Sequence, residues 1–171
     1  MCAWQRQRNL SKARPSAAEA LKKLERYCAY QDRCHQEVRR KLYSLGCYGE
    51  DVDQVMAQLI EDKFLDEERF ARSYARGKHK IKYWGRVRIE QELRQRQISR
   101  YCIRAALNEL EELDYPGTLY TLLRKRYERQ DDTLRDYLRR GDLYQYGIRK
   151  GYTSAECSEA AKAILLNKDQ I

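Results

Sequence analysis

The sequence contains no apolar run near the ~18 residues that a membrane-spanning helix needs. Its first fourteen residues, Met1 to Arg14, are basic but lack the ~7–15-residue apolar core of a secretion signal, so export is not expected. Histidine is confined to His35 and His79, and no His-x-x-x-His, Gly-rich phosphate loop or Cys-x-x-Cys spacing occurs. Those gaps remove the commonest metal sites, phosphate cradles and acid–base pairs of enzymes. Cys28, Cys34 and His35 make a poor zinc set without further ligands nearby. A disulfide framework does not suit a chain of this length without an export signal. The sequence therefore predicts a cytoplasmic protein with reduced structural thiols, no catalytic residues, no metal and no cofactor.

Two prolines and eight glycines leave long stretches without a breaker, and those stretches are rich in Glu, Lys, Arg, Gln, Leu and Ala, the strong helix formers. Charged residues make up 36% and mean hydropathy is −0.93, which favours several thin cores over one deep core. Fourteen Tyr against two Phe fit thin cores, since a Tyr ring can pack while its hydroxyl stays wet.

One pattern recurs three times. Val52, Val55, Met56, Leu59; Ile103, Ala106, Leu107, Leu110; and Cys157, Ala160, Ala161, Ile164 each follow i, i+3, i+4, i+7, the apolar stripe of an amphipathic helix. Five residues before each stripe stands an anchor (Cys47, Ile98, Tyr152), and nine residues before each anchor stands Val38, Ile89 or Leu143 in a second helix. A third element precedes each pair: Ala20, Leu21, Leu24; Phe70, Ala71, Tyr74; Leu119, Leu122, Leu123. Ser16 with Glu19 and Thr153 with Glu156 form capping boxes, Asp66 and Ser99 are N-caps, and Gly46, Gly85 and Gly151 fall at turns. Asp66-Glu67-Glu68, the densest carboxylate cluster near the centre, reads as a helix N-terminus rather than a metal site. The predicted fold is all-α, with three tandem three-helix repeats in an elongated, curved array: a flexible basic arm over 1–14, then repeats over 15–64, 65–113 and 114–171. In this register Cys47 and Cys157 are core residues.

The net charge of +9 is unevenly spread. From Arg72 to Arg104 there are eleven cations, opposed only by Glu90 and Glu92, while Glu50 to Glu68 holds eight acids against Lys63 alone. Segregation of this kind makes a field that selects a polyanion. Within the basic segment, Tyr83 and Trp84 interrupt the run Lys78-His79-Lys80-Ile81-Lys82 to Gly85-Arg86-Val87-Arg88, cations and stacking platforms suited to a phosphate backbone. The expected contact residues are Lys78, Lys80, Lys82, Trp84, Arg86, Arg88 and Arg94, followed by Arg124, Lys125 and Arg126 in the third repeat. An acidic protein surface would fit the same stripe.

Leu65-Asp66-Glu67-Glu68-Arg69-Phe70-Ala71, then Trp84-Gly85-Arg86-Val87-Arg88-Ile89-Glu90-Gln91-Glu92-Leu93 and Gln97-Ile98-Ser99, resembles the RecX family, regulators of the bacterial recombinase RecA. Ala20-Leu21 and Glu37-Val38-Arg39-Arg40-Lys41-Leu42 through Gly46 resemble that family's first repeat. The resemblance runs from about Ala17 to Ile164 and is weakest in the third repeat. It implies a protein that binds along the groove of the RecA–DNA filament and modulates, usually inhibits, ATP hydrolysis and strand exchange in recombination, repair and the SOS response; a monomer without enzymatic activity is expected. Cys34 stands where the family commonly has a capping Ser, Gln97 where it commonly has a turn Gly, and Asp142 and Gly147 break the expected helix pattern of the third repeat, which leaves its helix boundaries open. Two other readings stay open: a general DNA-binding protein acting without RecA, and an adaptor for an acidic protein.

Overall fold

The computed structural model describes residues 14–167; residues 1–13 and 168–171 lie outside them, and with them all of the expected basic arm except Arg14. Every regular element among the described residues is helical: α1 (Ala17–Tyr30), α2 (His35–Ser44), α3 (Glu50–Glu61), α4 (Glu67–Lys82), α5 (Arg86–Gln95), α6 (Arg100–Asn108), α7 (Tyr115–Tyr127), α8 (Asp136–Lys150) and α9 (Ser154–Leu166). The fold is thus an all-α array of three-helix repeats. The chain divides into two compact units, Met1–Leu65 and Asp66–Ile171.

In the first unit, the apolar stripe of α3 (Val52, Val55, Met56, Leu59) packs with Ala20, Leu24 and Cys28 of α1 and Val38 and Leu42 of α2. Ser16 and Glu19 form the expected reciprocal cap of α1. Cys34 is the N-cap of α2, and Glu37 keeps the returning half of that capping box by accepting from the Cys34 N–H at 3.3 Å. Arg14 forms an ion pair with Asp51 in the first turn of α3.

In the second unit α4 packs chiefly on α6, while α9 takes both α7 and α8. Asp66 caps α4 at 2.8 Å through the Arg69 N–H, and Ser99 caps α6. Glu67, in the first turn of α4, also accepts from the Ser99 N–H at 3.1 Å, so the acidic cluster at Asp66 ties two helix starts together.

The second helix of every repeat ends alike. The N–H groups of Cys47, Ile98 and Tyr152 reach back to the carbonyls of Leu42, Leu93 and Gly147 at 3.1, 3.2 and 3.2 Å. The preceding residues, Gly46, Gln97 and Gly151, have φ of 86°, 59° and 91°. This is the Schellman closure, in which a left-handed residue turns the chain and the next residue drops into the core. The three anchors are buried as expected. The same arrangement explains Gln97: it occupies a left-handed position that the other two repeats give to glycine.

Asp142 and Gly147, which depart from the expected pattern, both lie inside α8, which runs unbroken from Asp136 to Lys150. Asp142 accepts two hydrogen bonds from Arg126, both at 2.9 Å, and one from Gln130 at 2.7 Å. Gly147 is buried against α9, where a Cβ would lie 2.6 Å from the Cys157 sulfur. A helix interior tolerates glycine when two backbones must approach this closely.

Candidate nucleic-acid interface

Tyr83 ends α4 in the left-handed conformation, with φ of 55°. For a non-glycine residue this costs about 1–2 kcal/mol, and the Trp84 carbonyl is held in return by Nδ1 of the buried His79 at 2.9 Å. The His79 ring stacks on Tyr115 of α7, with centroids 5.1 Å apart and 12° between planes, and Tyr115 packs in turn on Tyr152. Burial pushes the Tyr115 hydroxyl up to about 12, so it stays a neutral phenol and accepts from the Arg86 N–H at 3.0 Å. Burial raises Tyr152 as well. This aromatic column sets the turn between α4 and α5 against the third repeat.

Backbone hydrogen bonds complete the junction. The Gly85 N–H donates to the Lys150 carbonyl at 2.9 Å and the Val87 N–H to the Gly151 carbonyl at 3.0 Å. A Cβ on Gly85 would meet the Gly151 oxygen at 2.3 Å, and one on Gly151 would meet the Arg88 Cβ at 2.3 Å. Two glycines therefore let the α4–α5 turn and the α8–α9 turn touch through their backbones. Lys150 Nζ donates to the Lys82 carbonyl at 3.1 Å, and Arg88 Nη1 to the Arg149 carbonyl at 3.1 Å.

The seam gathers cations from both repeats. Lys78 and Arg88 lie over the Trp84 ring at 5.2 and 4.1 Å from its centroid. Lys125 lies 5.6 Å from the Tyr83 ring. Arg126, Arg149 and Lys150 surround Tyr146 at 5.4, 5.8 and 5.4 Å. Contacts of this kind are worth about 0.5–1 kcal/mol each at exposed positions, and they hold the charged heads in a defined geometry. Trp84 thus serves as a platform for cations, with Arg88 already lying on it.

The ten residues expected at the interface divide by their partners. Arg94 is engaged by Glu90 at 2.5 Å, Arg86 by Glu111 at 3.4 Å, Arg124 by Glu128 at 3.1 Å and Arg126 by Asp142. Lys78, Lys80, Lys82, Arg88 and Lys125 make no ion pair with a carboxylate among the described residues. Trp84 is half-buried beneath Lys78 and Arg88. The uniform basic segment of the sequence is accordingly thinner in the fold. Glu109, at the end of α6, pairs with both Arg72 (2.5 Å) and Arg76 (2.9 Å), and Arg96 pairs with Glu92. The Arg72 guanidinium is the main reason Glu109 is held below the usual carboxylate range.

Arg149 and Lys150 escaped the sequence reading. Their signal was the basic last turn of α8, directly before the Gly151-Tyr152 closure that the repeat register marks. Among the described residues no three His, Cys, Asp or Glu side chains gather as a metal site, and no helix is long and apolar enough to cross a membrane.

Family models match the chain in two places, the first three-helix domain of RecX over residues 20–59 and the second over residues 66–107. Regulatory protein RecX of Salmonella typhi is 33% identical over 108 residues, which cover 57% of this chain and 64% of that protein. The Salmonella agona protein of the same name matches to the same extent. The chain thus spans a little under two thirds of the length of these curated relatives. Among solved structures, a crystal structure of regulatory protein RecX superposes with a TM-score of 0.69 at 25% identity, covering 82% of this chain and 68% of the other. RecX from Lactobacillus salivarius superposes with a TM-score of 0.70 over 91% of this chain and 97% of the other; at 21% identity this is a likeness of fold.

Proposed function

We propose that this chain, which belongs to the RecX family, is a non-enzymatic cytoplasmic regulator that binds the RecA–DNA filament as a monomer and inhibits its ATP hydrolysis and strand exchange. The observation that carries this reading is the seam between the second and third repeats. There Lys78, Arg88, Lys125 and Lys150 converge around Tyr83, Trp84 and Tyr146 without carboxylate partners, and Lys150 Nζ donates to the carbonyl of the exposed Lys82.

Cations held over aromatic rings are positioned before the ligand arrives, so less side-chain freedom is lost when a phosphate binds. Such contacts go to the backbone of a nucleic acid and supply affinity without base readout. Lys80 is exposed on α4 but, two positions from both Lys78 and Lys82, lies off their face of the helix. Arg86, Arg94, Arg124 and Arg126 contribute after exchanging a carboxylate for a phosphate, which makes each of them a weaker contributor than Lys82 or Arg88. A regulator seated this way would obstruct strand entry and the subunit motions coupled to ATP hydrolysis.

The test is a titration into a RecA–single-strand ATPase assay, with binding to the naked strand measured at the same salt. Falling ATPase at concentrations where the naked strand remains largely unbound is the expected result. Equal affinity for naked DNA and filament, with a steep salt slope, would favour the second reading, a general DNA-binding protein acting without the recombinase.

A further inference from the structure

The third repeat carries a surface whose chemistry is opposite to that of the seam. Between α7 and α9 lies a hollow of about 410 Å³. Leu119 and Tyr120 of α7 face Glu156, Glu159, Ala160 and Ala163 of α9 across it. Its lining is mostly apolar, and no lysine or arginine contributes to it. Positions 156, 160 and 163 of α9 are half-buried beside the buried stripe of Cys157, Ala161 and Ile164, so Ala160, which the apolar spacing assigned to the inward stripe, lines the hollow instead. The two alanines present only methyl groups, which leaves the hollow open.

The two carboxylates differ. Glu156 is committed to the α9 capping box, accepting from the Thr153 N–H at 2.8 Å. Glu159 is exposed and forms no ion pair among the described residues. In a chain of net charge +9, an apolar hollow rimmed only by acids repels a polyanion. It fits an apolar side chain of Leu or Phe size flanked by Arg or Lys, with Glu159 pairing the cation and the Tyr120 ring offering a face to it. We propose that this hollow docks a basic, apolar-anchored segment of a protein partner, and, resting on the reading above, that the segment belongs to the recombinase subunits of the filament. The protein would then hold its target by two contacts, the seam on phosphate and the hollow on protein, with Tyr115 lining the hollow and stacking on His79 behind the seam.

Two full-length variants test this, Ala160→Trp to fill the hollow and Glu159→Arg to reverse its rim. Glu159 is exposed and Ala160 lies at the hollow outside the buried stripe of α9, and circular dichroism with thermal unfolding verifies the fold. Binding is measured to ATP-bound RecA–single-strand filaments and to the naked strand at one salt concentration. The expected result is at least a tenfold or so loss of filament affinity in both variants, with Ala160→Trp leaving naked-strand affinity unchanged. Wild-type-like filament binding by either variant overturns the docking site while leaving the filament reading intact. Equal losses on filament and naked strand place nucleic acid in the hollow and overturn it too, as does a change confined to self-association on sedimentation. Failure of the wild-type protein to bind filaments overturns the underlying reading and the partner assignment with it.

Discussion

Gly147 of α8 and Cys157 of α9 are packed so closely that the smallest side chain on the first would lie 2.6 Å from the sulfur of the second. Both are buried, and burial pushes the Cys157 thiol up to about 11, so it is a neutral, unreactive packing group. Gly147→Ala should destabilise the protein by about 1–3 kcal/mol, the usual cost of overfilling a packed site. Adding Cys157→Ala should recover part of that loss. A double-mutant cycle by urea unfolding measures the coupling, and strict additivity of the two changes would mean that they do not share this contact.

Gly85 presents a harder constraint, because the atoms a Cβ would strike belong to the Gly151 and Tyr152 backbone. Gly85→Ala should therefore part the two turns. Faster hydrogen exchange is expected at the Val87 amide, which now donates to the Gly151 carbonyl at 3.0 Å. Protection at Val87 equal to that of the wild type would show that the seam closes without the glycine.

At position 97 the change should go the other way. Gln97 adopts φ of 59° where Gly46 and Gly151 serve the same closure. Gln97→Gly removes a left-handed penalty of about 1–2 kcal/mol and adds back a smaller cost in unfolded-chain entropy. A net gain of about 0.5–1 kcal/mol is expected in thermal or urea unfolding.

Acid should loosen the α4–α6 pair. Glu109 is held below its ordinary value of 4.5, first by the hydrogen bond from Arg72 and then by Arg76. A carboxylate depressed in the folded state stabilises it fully above the unfolded value, and that contribution is lost as pH falls through the folded one. Stability should thus decline below about pH 4.5, and Glu109→Gln should flatten that part of the curve while costing at most about 1 kcal/mol at neutral pH. Unfolding curves at pH 7 and pH 3.5 compare the two proteins.

Nucleic-acid affinity separates the partnered from the unpartnered cations. Lys82→Gln and Lys125→Gln should each reduce the slope of log affinity against log salt by about one, the signature of one lost phosphate contact. Arg94→Gln should change it less, since Glu90 already holds that guanidinium at 2.5 Å. Equal slope changes at all three positions would mean that the ion pairs do not decide which cations reach phosphate.

Much of this molecule was legible in the sequence, and for local reasons. Apolar spacing of three and four residues and a Ser, Thr or Asp before five of the described helices act within one or two turns of chain. The capping boxes at Ser16 and Thr153, the N-caps at Asp66 and Ser99, and the buried anchors Cys47, Ile98 and Tyr152 therefore fell where the pattern placed them. Where the pattern broke, at Gly147, the deciding contact came from another helix. The basic stripe was legible as charge but not as field, because Arg72 and Arg86 meet carboxylates that lie 37 and 25 residues away in the chain.

By itself, then, the order of residues determined the helices of the described residues, their repetition and most of the apolar faces they turn inward, since each follows from short-range periodicity and capping. Only the tertiary structure decided which cations keep their charge available and which neighbours they gain. Lys150 reaches Lys82 across 68 residues and Arg88 reaches Arg149 across 61. No local spacing encodes that meeting, which depends on two glycine turns thin enough to touch through their backbones.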